Sequence, residues 1–127
     1  KRDGLWVVYQ KNGQLNRKET YKDDKKHGPY ALYHVNGQLS WQGTFKNGLV
    51  DGPYASYHDN GQVAYKGTYK DGKLDGLYVS YYENGRLGEK KNYKNGKLDG
   101  SSVEYNKNGT VVKSWTGTFK NGVKISD

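Results

Sequence analysis

Residues 28–51 read GPYALYHVNGQLSWQGTFKNGLVD, and residues 52–75 read GPYASYHDNGQVAYKGTYKDGKLD. The second stretch is the first with a few changes. Each contains an Asn-Gly pair flanked by alternating Tyr, Leu or Val, the strongest short-range signal for a β-hairpin. A Lys-(Asn/Asp)-Gly turn follows, because Asn, Asp and Gly tolerate the positive φ that a tight hairpin turn requires. No helical period is present. Two antiparallel strands per unit are therefore predicted, over 29–34 and 38–45 in the first stretch. Pro29 and Pro53 fall at strand beginnings, where a missing N–H is tolerated.

The pattern extends outward in both directions. Gly4, Gly28, Gly52, Gly76 and Gly100 recur every 24 residues. The chain divides into units 4–27, 28–51, 52–75, 76–99 and 100–127, forming one repeat domain over 1–127. The first unit departs from the pattern at Lys22-Asp23-Asp24-Lys25-Lys26-His27, and the fifth has a two-residue insertion before Trp115. These departures resemble end caps. The predicted fold is all-β: an elongated, single-layer antiparallel sheet of about ten strands, roughly 45–50 Å along the stacking direction. Tyr33, Tyr57 and Tyr81, and the turn glycines Gly37, Gly61 and Gly85, are read as structural repeat positions.

Composition bounds the function. Leu, Ile, Val and Phe together number only 22 of 127 residues, with a net charge of +8. That balance alone would suggest disorder. The repeats, the 13 Tyr and the 3 Trp argue instead for a thin, ring-rich sheet without a deep interior. There is no Cys, so disulfides and thiolate metal sites are excluded. Its absence leans slightly towards an exported or cell-surface protein over a cytoplasmic one. Position 1 is not Met, which leaves room for a removed leader.

The register allows two arrangements. A two-residue loop would gather Tyr30, Leu32, Leu39, Trp41 and Phe45 on one face. A three-residue loop with a bulge at Gly37 would gather Ala31, Tyr33, Leu39, Trp41 and Phe45. The second is preferred, since it collects the columns that are apolar in every unit. Tyr30, Tyr54 and Tyr78 then face the other way, beside Gln42, Thr44, Lys66, Thr68 and Lys90. Gly43, Gly67 and Gly117 are expected to let a ring lie flat on the backbone.

The motif G-x-Y-x-x-Y-x-x-NG-x-L, followed by GTYK(N/D)G and (L/V)DG, resembles the MORN-variant repeat of bacterial proteins. Within that group it is similar to the YwqK family of antitoxins. The resemblance implies an elongated, twisted sheet of hairpins. It also implies a protein partner: a toxin that the repeat protein neutralises. Other arrays of this type imply membrane association or scaffolding, the alternative being a structural or surface component of a larger assembly. The resemblance supplies no catalytic residue.

The residues themselves offer little chemistry. His34 and His58 share a column in adjacent units, roughly 10 Å apart, too far for one metal ion. Ser56, His58 and Asp59 have the residue types of a triad, but Asp59 enters a turn and no helix N-terminus is available for an oxyanion. No metal, cofactor or enzymatic activity is expected. Basic charge is concentrated towards the ends of the chain, so nucleic acid is an unlikely partner. An acidic protein, an anionic glycan or a membrane surface remains open, as does self-association.

A five-fold repeated apolar face would exceed the few hundred square ångströms usual on a monomer. A protein-binding array is therefore expected, docking through a sheet face. The candidate contact residues are those that vary within otherwise constant columns: Leu32, His34, Trp41, His58, Tyr65 and Tyr82.

Overall fold

The computed structural model describes residues 2–127. Its strands are β1 (Gly4–Tyr9), β2 (Leu15–Lys22), β3 (Lys25–Lys26), β4 (Gly28–Tyr33), β5 (Leu39–Lys46), β6 (Leu49–Val50) and β7 (Gly52–Tyr57). They continue as β8 (Val63–Lys70), β9 (Lys73–Leu74), β10 (Gly76–Tyr81), β11 (Leu87–Lys94), β12 (Lys97–Glu104), β13 (Gly117–Lys120) and β14 (Val123–Ser126). All belong to one open antiparallel sheet, in the order β1-β2-β4-β5-β7-β8-β10-β11-β12-β13-β14. The two-residue strands β3, β6 and β9 pair with β2, β5 and β8 at the hairpin ends. These stubs, together with a split fifth unit, raise the strand count to 14 above the ten expected. A 3₁₀ turn at Lys113–Trp115 accommodates the insertion.

The turns follow from local backbone chemistry. In the first turn of unit two, the His34 N–H donates to the Gln38 carbonyl and the Gly37 N–H to the His34 carbonyl. Gly37 has φ 87°. This is the three-residue loop with its left-handed glycine. The Asn36 side chain caps it by accepting the Gln38 N–H at 2.9 Å. In the second turn, Asn47 and Gly48 have φ 52° and 86°, the two-residue turn that matches strand twist.

The facing of the side chains corrects the sequence reading. Past the Asn-Gly loop, Tyr33 pairs with Leu39 as expected, but Leu32 pairs with Trp41. Ser40 is therefore a second bulge residue, and it flips the parity of everything beyond it. The same shift recurs at Asn16, Ala64 and Gly88. Tyr30, Leu32, Trp41 and Phe45 thus share one face. Ala31, Tyr33 and Leu39 lie on the other, with Gln42 and Thr44. The loop type was read correctly and the face was not.

The sheet has almost no interior. Among the described residues, the buried apolar side chains are Tyr21, Tyr54, Val79, Leu98 and Phe119, and no large side chain is completely enclosed. Stability comes from ring-to-ring contacts along one face. Tyr30 meets Phe45 at 5.1 Å between centroids, Trp41 meets Tyr54 of the next unit at 6.2 Å, and Tyr54 meets Tyr69 at 4.9 Å. Tyr65 then reaches Tyr78 at 6.1 Å, carrying the chain of rings into unit four. Such pairs contribute roughly 0.5–1.5 kcal/mol each beyond their area. Gly43 and Gly67 leave the room these rings need: a Cβ on Gly43 would sit 2.5 Å from the Trp41 ring. Gly117 differs from the expectation, since its neighbours are the Ser126 carbonyl and Lys124 instead of a ring.

Candidate docking surface

The aromatic face ends in charge at both sides. At the column of Gly43 and Gly67, unit one has Glu19 and unit four has Lys91, both about 6% exposed. Arg17 Nε contacts Glu19 Oε1 at 2.5 Å, and the Tyr21 hydroxyl donates to Glu19 Oε2. Burial pushes the Glu19 carboxyl up, but the Tyr21 hydroxyl and Arg17 together hold it below the usual range. At the other end, the Lys91 ammonium lies 2.6 Å from Glu104 and 3.7 Å from Glu89, beneath the Trp115 ring. Glu89 and Glu104 are directly opposite each other across β11 and β12. A like-charged pair in that register is tolerable only with Lys91 between them. The two clusters bracket the central stack of rings, with the pairs Trp6–Tyr21 and Trp115–Phe119 at their outer sides.

The predicted contact residues fall into two groups. Leu32, Trp41 and Tyr65 lie on the aromatic face, in one row that runs Arg17, Leu32, Trp41, Ser56, Tyr65, Ser80, Glu89 and Glu104. Trp41 is half-buried against Tyr30 and Tyr54, and Tyr65 is 37% exposed. His34, His58 and Tyr82 lie instead at the Asn-Gly edge. There each reaches the main-chain carbonyl of the repeat tyrosine one unit ahead, His58 to Tyr81 at 2.8 Å and Tyr82 to Tyr105 at 2.7 Å. The structure does not gather the six into a single site.

The opposite face holds a depression that the sequence reading did not single out. Leu5 of β1 and Leu77 of β10 both line it. Six strand-to-strand steps separate these strands, which a flat sheet would spread over ~29 Å. The sheet therefore curls, with this face inside. The depression has a volume of about 650 Å³ and is floored by short side chains, Ala31 and Ala55 among them, with Pro29, Pro53, Thr44 and Thr68 alongside. One row crosses it as Val7, Lys18, Ala31, Gln42, Ala55, Lys66 and Val79. Its charged lining residues are Lys18 and Lys66.

Two signals for this face were present in the sequence. The bulge column is small in every regular unit, reading Asn16, Ser40, Ala64 and Gly88. The column of Val7, Ala31, Ala55, Val79 and Val103 contains no bulky residue, so it leaves the inside of a curled sheet open.

The model of the MORN repeat variant matches residues 2–23, 50–71 and 74–95, together just over half of the chain. The chain belongs to the MORN repeat variant family. No curated protein sequence matches it. Among solved structures, it is similar to an S. aureus TarM mutant in complex with fondaparinux, α-GlcNAc-glycerol and UDP, at 12% identity, 76% coverage of this chain and TM-score 0.45. It is also similar to accessory secretory protein 1, 2 and 3 of Streptococcus pneumoniae, at 18% identity, 78% coverage and TM-score 0.41. The chain spans 19% of the length of each. The MORN-variant hairpin explains the edges as well as the faces. Besides the side-chain contacts at the Asn-Gly edge, Gly48, Gly72, Gly96 and Gly122 each donate their N–H to a carbonyl of the preceding unit. Both edges of the array are thus tied from unit to unit.

Proposed function

We propose that this MORN-variant array is a non-catalytic docking module that holds a segment of a partner protein on its concave face. The observation that supports the reading is the depression of about 650 Å³ spanning units one to four, on the face opposite the continuous stack of Tyr30, Trp41, Tyr54, Tyr65 and Tyr78. The size suits a ligand segment. The short side chains on the floor leave the backbone close to any occupant. The finer reading is an antitoxin or immunity role, in which the segment belongs to a toxin and its capture blocks the toxin's action. The competing surface within the same reading is the convex row of Leu32, Trp41 and Tyr65, where ring side chains supply the usual anchors.

The test is reconstitution from purified components after a partner has been isolated by co-purification. Ala55→Phe fills the concave floor without adding charge, while Trp41→Ala and Tyr65→Ala remove convex rings. Binding should fall at least about tenfold for Ala55→Phe in a chain that still melts cooperatively, the loss of roughly 1.4 kcal/mol. If Ala55→Phe binds as wild type and the two ring variants do not, the convex row is the docking surface. Retention on anionic liposomes that is insensitive to all three variants would move the function to membrane association.

A further inference from the structure

Resting on the docking reading of the concave face, we propose that its occupant is an extended, acidic polypeptide segment lying across the strands. The charge of the depression has one sign. Lys18 and Lys66 line it, no carboxylate does, and among the described residues neither lysine has an ion-pair partner. The carboxylates of the sheet are committed elsewhere. Glu19, Glu89 and Glu104 are paired on the convex face. Asp51 and Asp75 sit at the corners between units, accepting the N–H groups of Asp71 and Asn95 at 3.0 and 3.4 Å.

The chemistry of the floor separates a peptide from the other anions. Single-stranded nucleic acid is held by aromatic rings on which bases stack, and sugars are commonly gripped by ring faces in the same way. Here the ring-to-ring contacts of Tyr30, Trp41, Phe45, Tyr54, Tyr65 and Tyr69 run along the convex side. The tyrosines of the concave face, Tyr33, Tyr57 and Tyr81, do not line the depression, and the Tyr57 hydroxyl accepts from the Gln42 amide at 2.7 Å. The concave floor offers Ala, Pro and Val side chains for small apolar groups, and the Thr44 and Thr68 hydroxyls for a main chain. The strands β2, β4, β5, β7 and β8 beneath it are paired on both sides, so a segment lying across them cannot add as a strand and must be read by side chains.

Spacing refines the occupant further. Successive units advance by two strands, ~9.6 Å, and an extended chain covers that distance in about three residues. Lys18 and Lys66 are two units apart. A matching segment therefore carries acidic side chains about six residues apart, with small apolar side chains between them, and a polyproline-like conformation with three residues per turn keeps one side facing the sheet.

The probe is a fluorescently labelled peptide repeating Glu-Pro-Val, titrated into the full chain, with the Gln-Pro-Val analogue, oligothymidylate and phosphatidylglycerol vesicles as comparators. Saturable binding of the acidic peptide is expected, at least about tenfold tighter than the Gln analogue and weakening with salt. Lys18→Gln and Lys66→Gln should each weaken it about three- to fivefold, as exposed ion pairs do, while Lys→Arg at either site restores it and melting is unchanged. Equal binding by the Lys18→Gln/Lys66→Gln double variant overturns the proposal, as does tighter binding of oligothymidylate or the vesicles. If Ala55→Phe abolishes partner binding but the acidic peptide does not bind wild type, this inference alone fails. If Ala55→Phe leaves partner binding intact, the docking reading fails with it.

Discussion

The imidazole Nε2 of His34 lies 2.8 Å from the backbone carbonyl oxygen of Tyr57, one unit ahead in the array. Its Nδ1 lies 3.0 Å from the Asp59 carboxylate. In unit one the same position is Gln10, whose amide donates to the His34 carbonyl at 3.2 Å. Glutamine, histidine and tyrosine thus perform one task in one column: they present a donor to the next hairpin. His34→Ala should lower unfolding free energy by about 1 kcal/mol, and His34→Gln should recover most of it. Urea denaturation of the three proteins checks this. Equal stability of the Ala and Gln variants would show that the contact contributes nothing.

Gly43 and Trp41 are coupled by contact, since a Cβ on Gly43 would lie 2.5 Å from Trp41 Cη2. Gly43→Ala is expected to cost about 1–3 kcal/mol through overpacking. Gly67→Ala, whose nearest neighbour is Tyr54 Cε1 at 3.2 Å, should cost less. Placing Gly43→Ala on a Trp41→Ala background should relieve most of the penalty. A double-mutant cycle by thermal melting reads this coupling directly.

Lys91 separates two carboxylates that would otherwise face each other. Lys91→Met leaves Glu89 and Glu104 opposed without a counter-ion, and about 3 kcal/mol of stability should be lost. Adding Glu89→Gln and Glu104→Gln to that variant should restore a large part of the loss. If Lys91→Met alone melts like wild type, the ion cluster is not a structural element of the sheet.

Burial pushes the Tyr78 phenol up to about 12 and moves Tyr54 upward in the same direction. In the unfolded chain both ionise near ~10. A raised folded-state value means that the fold favours the protonated phenol, so this contribution is intact below pH ~10. It is lost as pH rises from there through the folded-state values. Melting temperature should therefore fall steeply above pH ~10, and the Tyr54→Phe/Tyr78→Phe variant should fall less steeply. Parallel melting curves across that window would contradict the assignment.

The hairpins were legible because their signals are local. Asn36-Gly37 and Asn47-Gly48 specify turns through the φ values those residues accept, and alternation around them specifies strands. The facing was not legible, because Tyr30 and Tyr33 are both apolar enough to belong to a buried row. Only the extra residue at Ser40 distinguishes them, and a serine there carries no strong local preference for a bulge. The same bulge changes the neighbours of the candidate contact residues. Trp41 and Tyr65 keep company with Tyr54 instead of Tyr57, and Lys66, read as a polar neighbour, lines the concave floor.

Repeat length, turn positions and strand extents are thus consequences of short-range backbone preferences, which one unit expresses almost completely. Which rings gather, which way the sheet curls and where the depression opens depend on contacts between units. Trp41 on Tyr54 and Tyr65 on Tyr78 are such contacts. Packing energies of that kind exist only once neighbouring hairpins are stacked, so reading the units one at a time cannot reveal them.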